Sequence, residues 1–339
     1  MVATIKDIAE RVGVSTMTVS RVINNSGYVS MQTRKKVEAA IKALNYQPNL
    51  LARSLINRKS SFVYVIVPDI SNPFYADLTK GVERVAKSAS YNIILSSAYW
   101  KETLECEHIE AARGRMAEGI ILVLPKISEK KIAAYAKRIP LVVVDKHIRS
   151  KSIDKVYLYQ NKGAFLAVEH LITLGHRRIA FLSGESHIYN SRSRQHGYED
   201  ALSHYGIPFD PALVLKGDFS FETGERAFQQ IFDMAPQKRP TAIFAASDLM
   251  ALGFMRNAFR YGVRIPDDIS LVGFDDILLA SITNPPLTTI RHPYREMGEE
   301  AMNHLLKKLN EGFQPSDRKP LVNQLIIRET TKLFSGDEL

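Results

Sequence analysis

Residues 4–25 read TIKDIAERVGVSTMTVSRVINN and predict two short helices joined by a tight turn. Thr4 can cap the first helix, with Asp7 three residues further on in a capping-box arrangement. Gly13 supplies the turn, and Ser15 is a good N-cap for the second helix. Apolar residues recur along the first helix at spacings of three and four, so one face is apolar. This pattern is typical of a helix-turn-helix.

The second predicted helix carries small polar residues, a methionine and an arginine on the face opposite the apolar seam. These residues are Thr16, Met17, Ser20 and Arg21. In a helix-turn-helix, this helix is the one that enters the major groove of DNA. A third helix, predicted over residues 33–44, has three cations in its first turn, where the helix dipole favours acids. We expect these cations to contact phosphates, and a solvated basic surface is the alternative.

Positive charge is concentrated at the N-terminal end of the chain. Residues 1–60 hold ten Lys or Arg and three acids, a net charge of +7, whereas the whole chain carries +9. A basic excess in a small module is typical of a phosphate-binding surface. A helical hairpin packed into a larger core, the alternative interpretation, does not require such an excess. We therefore predict that double-stranded DNA is a partner.

Composition excludes several other classes of protein. The single Cys106 excludes an internal disulfide framework and a multi-cysteine metal site. Charged residues interrupt the N-terminus where a signal peptide is apolar, and no run approaches the ~18 apolar residues of a membrane span. No nucleophile-elbow, phosphate-loop, zinc-protease or dinucleotide-binding motif is present. We predict a cytoplasmic, non-membrane protein that is not an enzyme and has no catalytic residue, metal or cofactor.

From residue 62 onward, short apolar runs rich in β-formers alternate with helical stretches. This alternation predicts buried parallel sheets in doubly wound α/β layers, with strand–helix units before and after about residue 160 suggesting two lobes. The predicted strands are residues 62–67, 92–96, 119–124, 141–144, 178–182, 213–216, 241–245 and 269–273. The predicted helices are residues 74–89, 102–116, 162–174, 191–205, 223–234, 248–261 and 294–309.

Between the two regions, residues 45–48 (NYQP) break the third helix. Residues 49–55 are too few to form a stable isolated helix but too apolar for a plain linker. We expect this segment to fold only on its target, followed by a linker at residues 57–61.

Ligands of open parallel sheets bind beyond the carboxyl ends of the strands. The residues that follow the predicted strands mix aromatic rings, carboxylates and arginine. Flat aromatic faces with convergent hydrogen-bonding groups suit a small polar ring such as a sugar or a nucleobase.

Taken together, these segments resemble the LacI–GalR family of bacterial transcription regulators, from Thr4 to about Thr330. The matching blocks include TIKDIAERVGVSTMTVSRVINN, PDISNPFYADLTKGVE, LGHRRIAFLSG, RSRQHGYEDAL and IPDDISLVGFDD. The resemblance implies a small all-α helix-turn-helix headpiece (residues 1–48), a hinge helix and linker (49–61) and a two-lobed α/β core (62–339) similar to periplasmic sugar-binding proteins. It further implies a first lobe of about 62–160 plus 290–320, and a second of about 161–289 plus 321–330.

The resemblance also implies how the chain binds DNA. Thr16, Met17, Ser20 and Arg21 match the positions that face base edges, although Met17 replaces a polar residue and offers only apolar contact. Ala52 and Leu55 match hinge positions that enter the minor groove, where Leu55 from each subunit would wedge between bases. The expected form is a homodimer, with a tetramer as the larger alternative, on a pseudo-palindromic operator.

The positions that match the family's effector pocket are Phe74, Tyr75, Arg194, Phe219 and Asp275. Asp145 and Lys146 match positions used in sugar-binding relatives, and Ser247 lies at a pocket position where Asn is frequent in sugar binders. The alternatives are that Phe74 and Phe219 belong to the core and that Arg194 forms an ion pair between the lobes. The chain departs from many relatives at Tyr159, Gln160 and Ser247. We expect a repressor whose effector is a sugar or sugar derivative. A purine or another metabolite is the alternative effector, and a solute-binding protein without a DNA role is the alternative class.

Overall fold

The computed structural model describes residues 3–46, 60–312 and 320–335, and the chain divides into two units between Ser61 and Phe62. The predicted hinge helix, with Ala52 and Leu55, lies outside the described residues.

The N-terminal unit has three helices, α1 (Ile5–Val12), α2 (Thr16–Asn24) and α3 (Met31–Ala43). The predicted capping box forms, because the Thr4 hydroxyl accepts from the Asp7 amide while the Thr4 amide donates to the Asp7 carboxylate at 2.7 Å. α3 begins two residues earlier than predicted because Ser30 caps it, accepting from the Thr33 amide at 3.2 Å. The small core of this unit consists of Ile8, Ala9, Val19, Val22, Val37 and Ala40.

The second unit contains two sheets, and the first is entirely parallel in the order β2-β1-β3-β4-β5. Its strands are β1 (Phe62–Val67), β2 (Asn92–Ser97), β3 (Gly119–Val123), β4 (Leu141–Val144) and β5 (Asp154–Val156). The helices between them are α4 (Pro73–Ser88), α5 (Glu102–Gly114) and α6 (Glu129–Ala136). β1, β3 and β4 are almost wholly buried, as expected for parallel strands covered on both faces.

The second sheet has the order β11-β10-β9-β8-β6-β7 and is parallel except for the β10–β11 pair. Its strands are β6 (Ile179–Leu182), β7 (Val214–Leu215), β8 (Ala242–Ala245), β9 (Ser270–Asp275), β10 (Thr288–Arg291) and β11 (Gln324–Ile326). The helices that accompany it are α7 (Gln160–Thr173), α8 (Tyr189–His204), α9 (Phe221–Phe232), α10 (Asp248–Arg260) and α11 (Leu278–Ile282).

The chain crosses between the two lobes at three places. It leaves the first sheet after β5, returns to the first lobe after β10 to form α12 (Tyr294–Glu311), and ends in the second lobe with β11 and the segment after it. The return follows Arg291, the last residue of β10 that pairs with β9. The second lobe also extends beyond residue 330, since the Phe334 amide donates to the Leu174 carbonyl at 2.8 Å.

The sequence missed five short elements: α6, α11, β5, β10 and β11. β5 is only three residues long and two of its residues are charged, so its pairing with β4 has no local signature. β7 is shorter than predicted because residues 211–213 form a 3₁₀ turn before it.

α12 packs on α4 through a pair of glycines, and this contact fastens the returning helix to the first lobe. A Cβ atom on Gly81 would lie 2.0 Å from the Arg295 carbonyl oxygen, and one on Gly298 would lie 2.1 Å from the Leu78 carbonyl oxygen. Only residues without a side chain allow the two backbones to come this close.

Over the described ranges, no helix is both long enough and apolar enough to cross a membrane.

Candidate functional site

The first candidate site is the exposed face of α2, which we call the recognition surface (Thr16, Met17, Ser20 and Arg21). Ser15 caps the helix, because its hydroxyl accepts from the Thr18 amide at 3.1 Å. Thr16, Met17 and Arg21 are exposed, and Ser20 is partly buried and accepts from the Asn24 amide at 3.2 Å. The structure therefore places the four predicted residues together on one capped helix.

Arg21 is supported by the turn that follows α2. Asn25 ends the helix in the left-handed region with φ 51°, and Gly27 follows with φ 67°. A Cβ atom on Gly27 would lie 3.4 Å from the Arg21 Cδ atom, so the aliphatic stem of Arg21 lies over this glycine. The stem is held while the guanidinium stays exposed, which suits bidentate pairing with a base edge.

The second candidate site is the cleft between the two lobes of the core, where the carboxyl ends of both sheets meet. Non-glycine residues in the left-handed region gather at these strand ends. They are Tyr99 and Trp100 after β2, Leu124 after β3, Asp145 after β4, Phe219 after β7, and Asp275 and Asp276 at the end of β9. Residues in this region cost about 1–3 kcal/mol each and are typical of functional sites. Backbone strain in the core is therefore concentrated at this edge, although Ser90 and Met116 at helix ends also have positive φ.

Asp145 of the first lobe bonds to the second lobe through both carboxylate oxygens. Gln160 and Asn190 each donate a side-chain N–H to it at 2.7 Å. Asp145 is 3% exposed, and burial raises its pKa to about 6, although Arg194 and the two amides lower it. This carboxyl group joins the lobes without a ligand.

Arg194 extends the same set of contacts across the second lobe. Its Nε donates to the Gln160 carbonyl oxygen at 3.0 Å, and its Nη1 donates to the Ala246 carbonyl. Its Nη2 lies 3.7 Å from the Asp275 carboxylate, and its guanidinium stacks 3.8 Å from the Phe274 ring centre. The Arg194–Asp275 ion pair lies within the second lobe, so the alternative of an ion pair between the lobes is wrong.

Asp275 forms the reciprocal contact between the lobes. The hydroxyl of Tyr294, at the start of α12, donates to it at 2.6 Å. Burial raises the pKa of Asp275 to about 6, while Arg194 and Tyr294 lower it. We refer to Asp145, Gln160, Asn190, Arg194, Asp275 and Tyr294 as the inner network.

Aromatic rings cover the inner network. Phe74 and Tyr75 begin α4 and are buried, and the Phe74 ring centre lies 3.7 Å from that of Tyr294. Phe219 is partly exposed, and its ring occupies the space of a Gly184 side chain, since a Cβ atom there would lie 2.0 Å from the ring. Phe74 is thus both core and cleft wall, so its two predicted interpretations do not exclude each other.

Ser247 also lies at this edge, but its hydroxyl serves a helix. It caps α10 by accepting from the Met250 amide at 3.3 Å, and it is 2% exposed. The neighbouring Asp248 is fully buried, accepts from Thr289 and from the Ile277 amide, and has a pKa raised to about 7 by burial and by Asp275.

Sequence reasoning missed Gln160, Asn190, His292 and Tyr294 as site residues. The sequence marks Gln160 only as a departure from relatives, whereas its side chain bonds to Asp145, Arg194 and His292. Gln160 and His292 lie at crossings between the lobes, so a search of the crossing segments, in addition to the strand ends, would have found them.

The fold and these two sites define a helix-turn-helix regulator whose core is of the periplasmic-binding-protein type. Family models match this chain at residues 4–49 (bacterial regulatory proteins, lacI family) and 168–331 (periplasmic binding protein-like domain). Catabolite control protein A of Priestia megaterium is 35% identical over 334 residues, which cover 98% of this chain and 100% of that protein.

Two solved structures extend the comparison. The Lac repressor dimer bound to operator and the anti-inducer ONPF matches with a TM-score of 0.87 at 30% identity, over 98% of this chain and 100% of that chain. The transcriptional regulator CelR in complex with cellobiose matches with a TM-score of 0.72 at 30% identity, over 97% and 99%. The chain belongs to the LacI family and is a DNA-binding transcriptional repressor with an effector-binding domain.

Proposed function

We propose that this repressor binds a pseudo-palindromic operator as a homodimer and that a sugar or sugar derivative, bound between the lobes, controls it. One observation carries the choice of effector. Asp145 from the first lobe and Asp275 from the second lobe are both buried in one network with Arg194.

The chemistry of the inner network suits vicinal hydroxyl groups. Two carboxylates accept hydrogen bonds from hydroxyls, and Arg194 can donate to ring or hydroxyl oxygens. Phe74 and Phe219 provide apolar faces for the faces of a sugar ring. The similar regulator CelR was solved with cellobiose, which supports a sugar as the effector.

Effector binding requires the inner network to rearrange. Gln160, Asn190 and Tyr294 now occupy the acceptor positions that ligand hydroxyls would use. The ligand therefore replaces contacts between the lobes with its own, which changes the relative stability of lobe arrangements. An effector shifts the repressor between states only by its difference in affinity for them.

On the DNA side, we propose that Arg21 pairs with a guanine and that Met17 contacts a thymine methyl group. A bidentate arginine–guanine pair contributes about 1–3 kcal/mol of discrimination. We keep the proposal that Ala52 and Leu55 enter the minor groove at the operator centre.

For the dimer, we propose a surface of the second lobe that includes α11. Leu278 and Ile282 on α11 are 73% and 67% exposed, and Val322 and Ile327 are 75% and 63% exposed. Leu278 and Val322 line the same cavity. A cluster of exposed apolar side chains is typical of an interface. Leu278→Asp should convert the dimer to a monomer in sedimentation experiments, whereas Phe259→Asp, at an exposed phenylalanine on α10, should not.

The decisive experiment measures how sugars, sugar derivatives and purines change the melting temperature of the full-length protein. An operator selected from random DNA is then bound with and without each stabilising compound. A sugar should stabilise the wild type and alter operator affinity, whereas Asp145→Asn should reduce the stabilisation.

The control is Asp233→Asn, which neutralises a carboxylate at the end of α9, outside the inner network. It should leave the response unchanged. Stabilisation by purines but not by sugars would overturn the choice of effector and leave the repressor intact. A stabilising sugar without any effect on operator affinity would overturn its role as the effector.

A further inference from the structure

Beside the inner network, the cleft opens into a second space, which we call the outer chamber. It has a volume of about 280 Å³ and is lined from the first lobe by Trp100, Pro125 and Lys126 and from the second lobe by Ile188, Tyr189 and Arg192. Tyr189 is adjacent in sequence to Asn190, which bonds to Asp145. Lys146, adjacent to Asp145, also lines the chamber, so the chamber lies next to the inner network on both lobes.

The charged groups around the chamber divide into compensated and uncompensated ones. Glu102, which lines the chamber, pairs with Lys131 at 3.5 Å, and the His187 imidazole lies 3.0 Å from the Glu185 carboxylate. Neither pair adds an uncompensated cation to the chamber.

Lys146 is also compensated. Its ammonium donates to the carbonyls of Pro125 and Ile127 at 2.6 and 2.9 Å, and the buried Glu105 lies nearby and favours its charge. Burial lowers the pKa of Lys146 from its usual value. We therefore give Lys146 a structural role.

Two cations remain, one on each lobe. Within the described ranges, the Lys126 ammonium has no hydrogen-bond or ion-pair partner, although its backbone amide donates to Glu105. Arg192 donates through Nη1 to the carbonyls of Ser186 and His187, and it has no acidic partner in that part of the chain. Their charges face one chamber from opposite lobes.

The N-terminus of α8 adds to this positive field. The helix begins at Tyr189 behind Ile188, and both residues line the chamber. In the described chain, no side chain caps this 16-residue helix at its N-terminus, and its first turn contains no acid. Free amides and the helix dipole favour an anion at such an end.

The inner network has the opposite preference. It contains Asp145 and Asp275 against the single cation Arg194, so an anionic group placed there would be repelled. The inner network therefore favours the hydroxyl groups of a ligand, and the outer chamber favours an anionic group of the same ligand.

We infer that the effector is an anionic sugar, whose polyhydroxylated ring binds the inner network and whose phosphate or carboxylate group lies between Lys126 and Arg192. Trp100 and Tyr189 line the chamber that would receive this anionic group. This inference rests on the proposed function and narrows its ligand class.

The experiment is a calorimetric titration of the full-length protein with matched sets of aldohexoses. Each sugar is used in three forms: neutral, phosphorylated at the terminal carbon, and oxidised there to the uronate. Inorganic phosphate is titrated alone. For the sugar that binds, an anionic form should bind about tenfold or more tightly than the neutral form. The phosphate and uronate titrations then show which anion is preferred.

Three variants assign the preference to the chamber. Lys126→Gln and Arg192→Gln should each remove most of the anionic preference while leaving the affinity for the neutral sugar within about twofold. Lys126→Glu should make the neutral form the tighter ligand. Lys130→Gln, which neutralises an exposed lysine on α6 that does not line the chamber, should change neither affinity.

Several outcomes would overturn the inference. Equal binding of neutral and anionic forms, or a preference that survives both Gln substitutions, removes the role of the chamber but leaves a sugar-responsive repressor. Inorganic phosphate that binds as tightly as the sugar phosphate shows that the ring contributes nothing. Failure of every sugar form to bind or to alter operator affinity rejects the sugar effector itself.

Discussion

On α2, the side chains of Met17 and Arg21 are exposed and face solvent from a helix anchored by its opposite side. In the inter-lobe cleft, Asp145, Arg194 and Asp275 are each no more than 7% exposed and lie within one network. The recognition surface can contact DNA without breaking internal contacts. If the effector binds as proposed, the cleft must exchange its own hydrogen bonds for those of the ligand, and this exchange would allow binding to alter the lobes.

We expect the largest effect on stability from Arg194→Ala, which disrupts the buried network of the cleft. The change leaves Asp275 buried without its cation and removes the donors to Gln160 and Ala246, so we expect a loss of about 3–5 kcal/mol in the free energy of unfolding of the core. Urea unfolding measures this loss.

The matched control is Arg256→Ala, because Arg256 forms an exposed ion pair with Glu225. That change should cost no more than about 1 kcal/mol. Equal costs for the two variants would contradict the structural importance of the inner network.

Arg21→Ala tests the recognition surface on α2. The guanidinium is exposed, so its loss should leave the stability of the headpiece nearly unchanged but weaken specific operator binding by about 1–3 kcal/mol. Binding to the operator and to random DNA is measured at one salt concentration. Lys42→Ala, which removes an exposed cation from α3, should weaken both about equally. If Arg21→Ala weakened binding to the operator and to random DNA equally, the result would show that Arg21 contacts only phosphate.

The pH dependence of stability tests the buried carboxyl group of Asp145 in the cleft. Burial raises the pKa of Asp145 to about 6, so its contribution to stability is complete at low pH and is lost as the pH rises through 6. Asp145→Asn removes this titration, and the amide of Asn190 can reverse to accept from the new side chain, because its oxygen has no partner in the described part of the chain. The difference in unfolding free energy between wild type and variant should fall by about 1.4 kcal/mol between pH 5 and 8. A difference that stays constant with pH would contradict the raised pKa.

We expect the smallest effect from the loss of a serine cap, which can be compared between the two regions. Ser15 caps α2 in the headpiece and Ser247 caps α10 in the cleft, through the same hydroxyl-to-amide geometry. Ser15→Ala and Ser247→Ala should each lower the hydrogen-exchange protection of the first-turn amides by about 1 kcal/mol. Ser15→Asp should keep that protection, because Asp is also a good N-cap. A much larger cost at Ser247 would show that its hydroxyl also holds the cleft together.

The sequence alone determined the headpiece, the alternation of strands and helices in the core, and the predicted pocket positions. Caps, turns and apolar periodicity are local signals, so Thr4, Gly13 and Ser15 could be interpreted without a structure. The short strands β5 and β11 could not, because each is only three residues long and is defined by its pairing with β4 or β10 and not by a pattern of its own.

The tertiary structure alone decided how the pocket residues bond. The sequence placed Asp145 and Arg194 near a common edge, but Gln160 joins them because the chain crosses between the lobes there. The outer chamber likewise combines Lys126 with Arg192, which are 66 residues apart in the sequence. Contacts across a cleft depend on how two separate sheets are oriented, and no periodicity within either segment records that orientation.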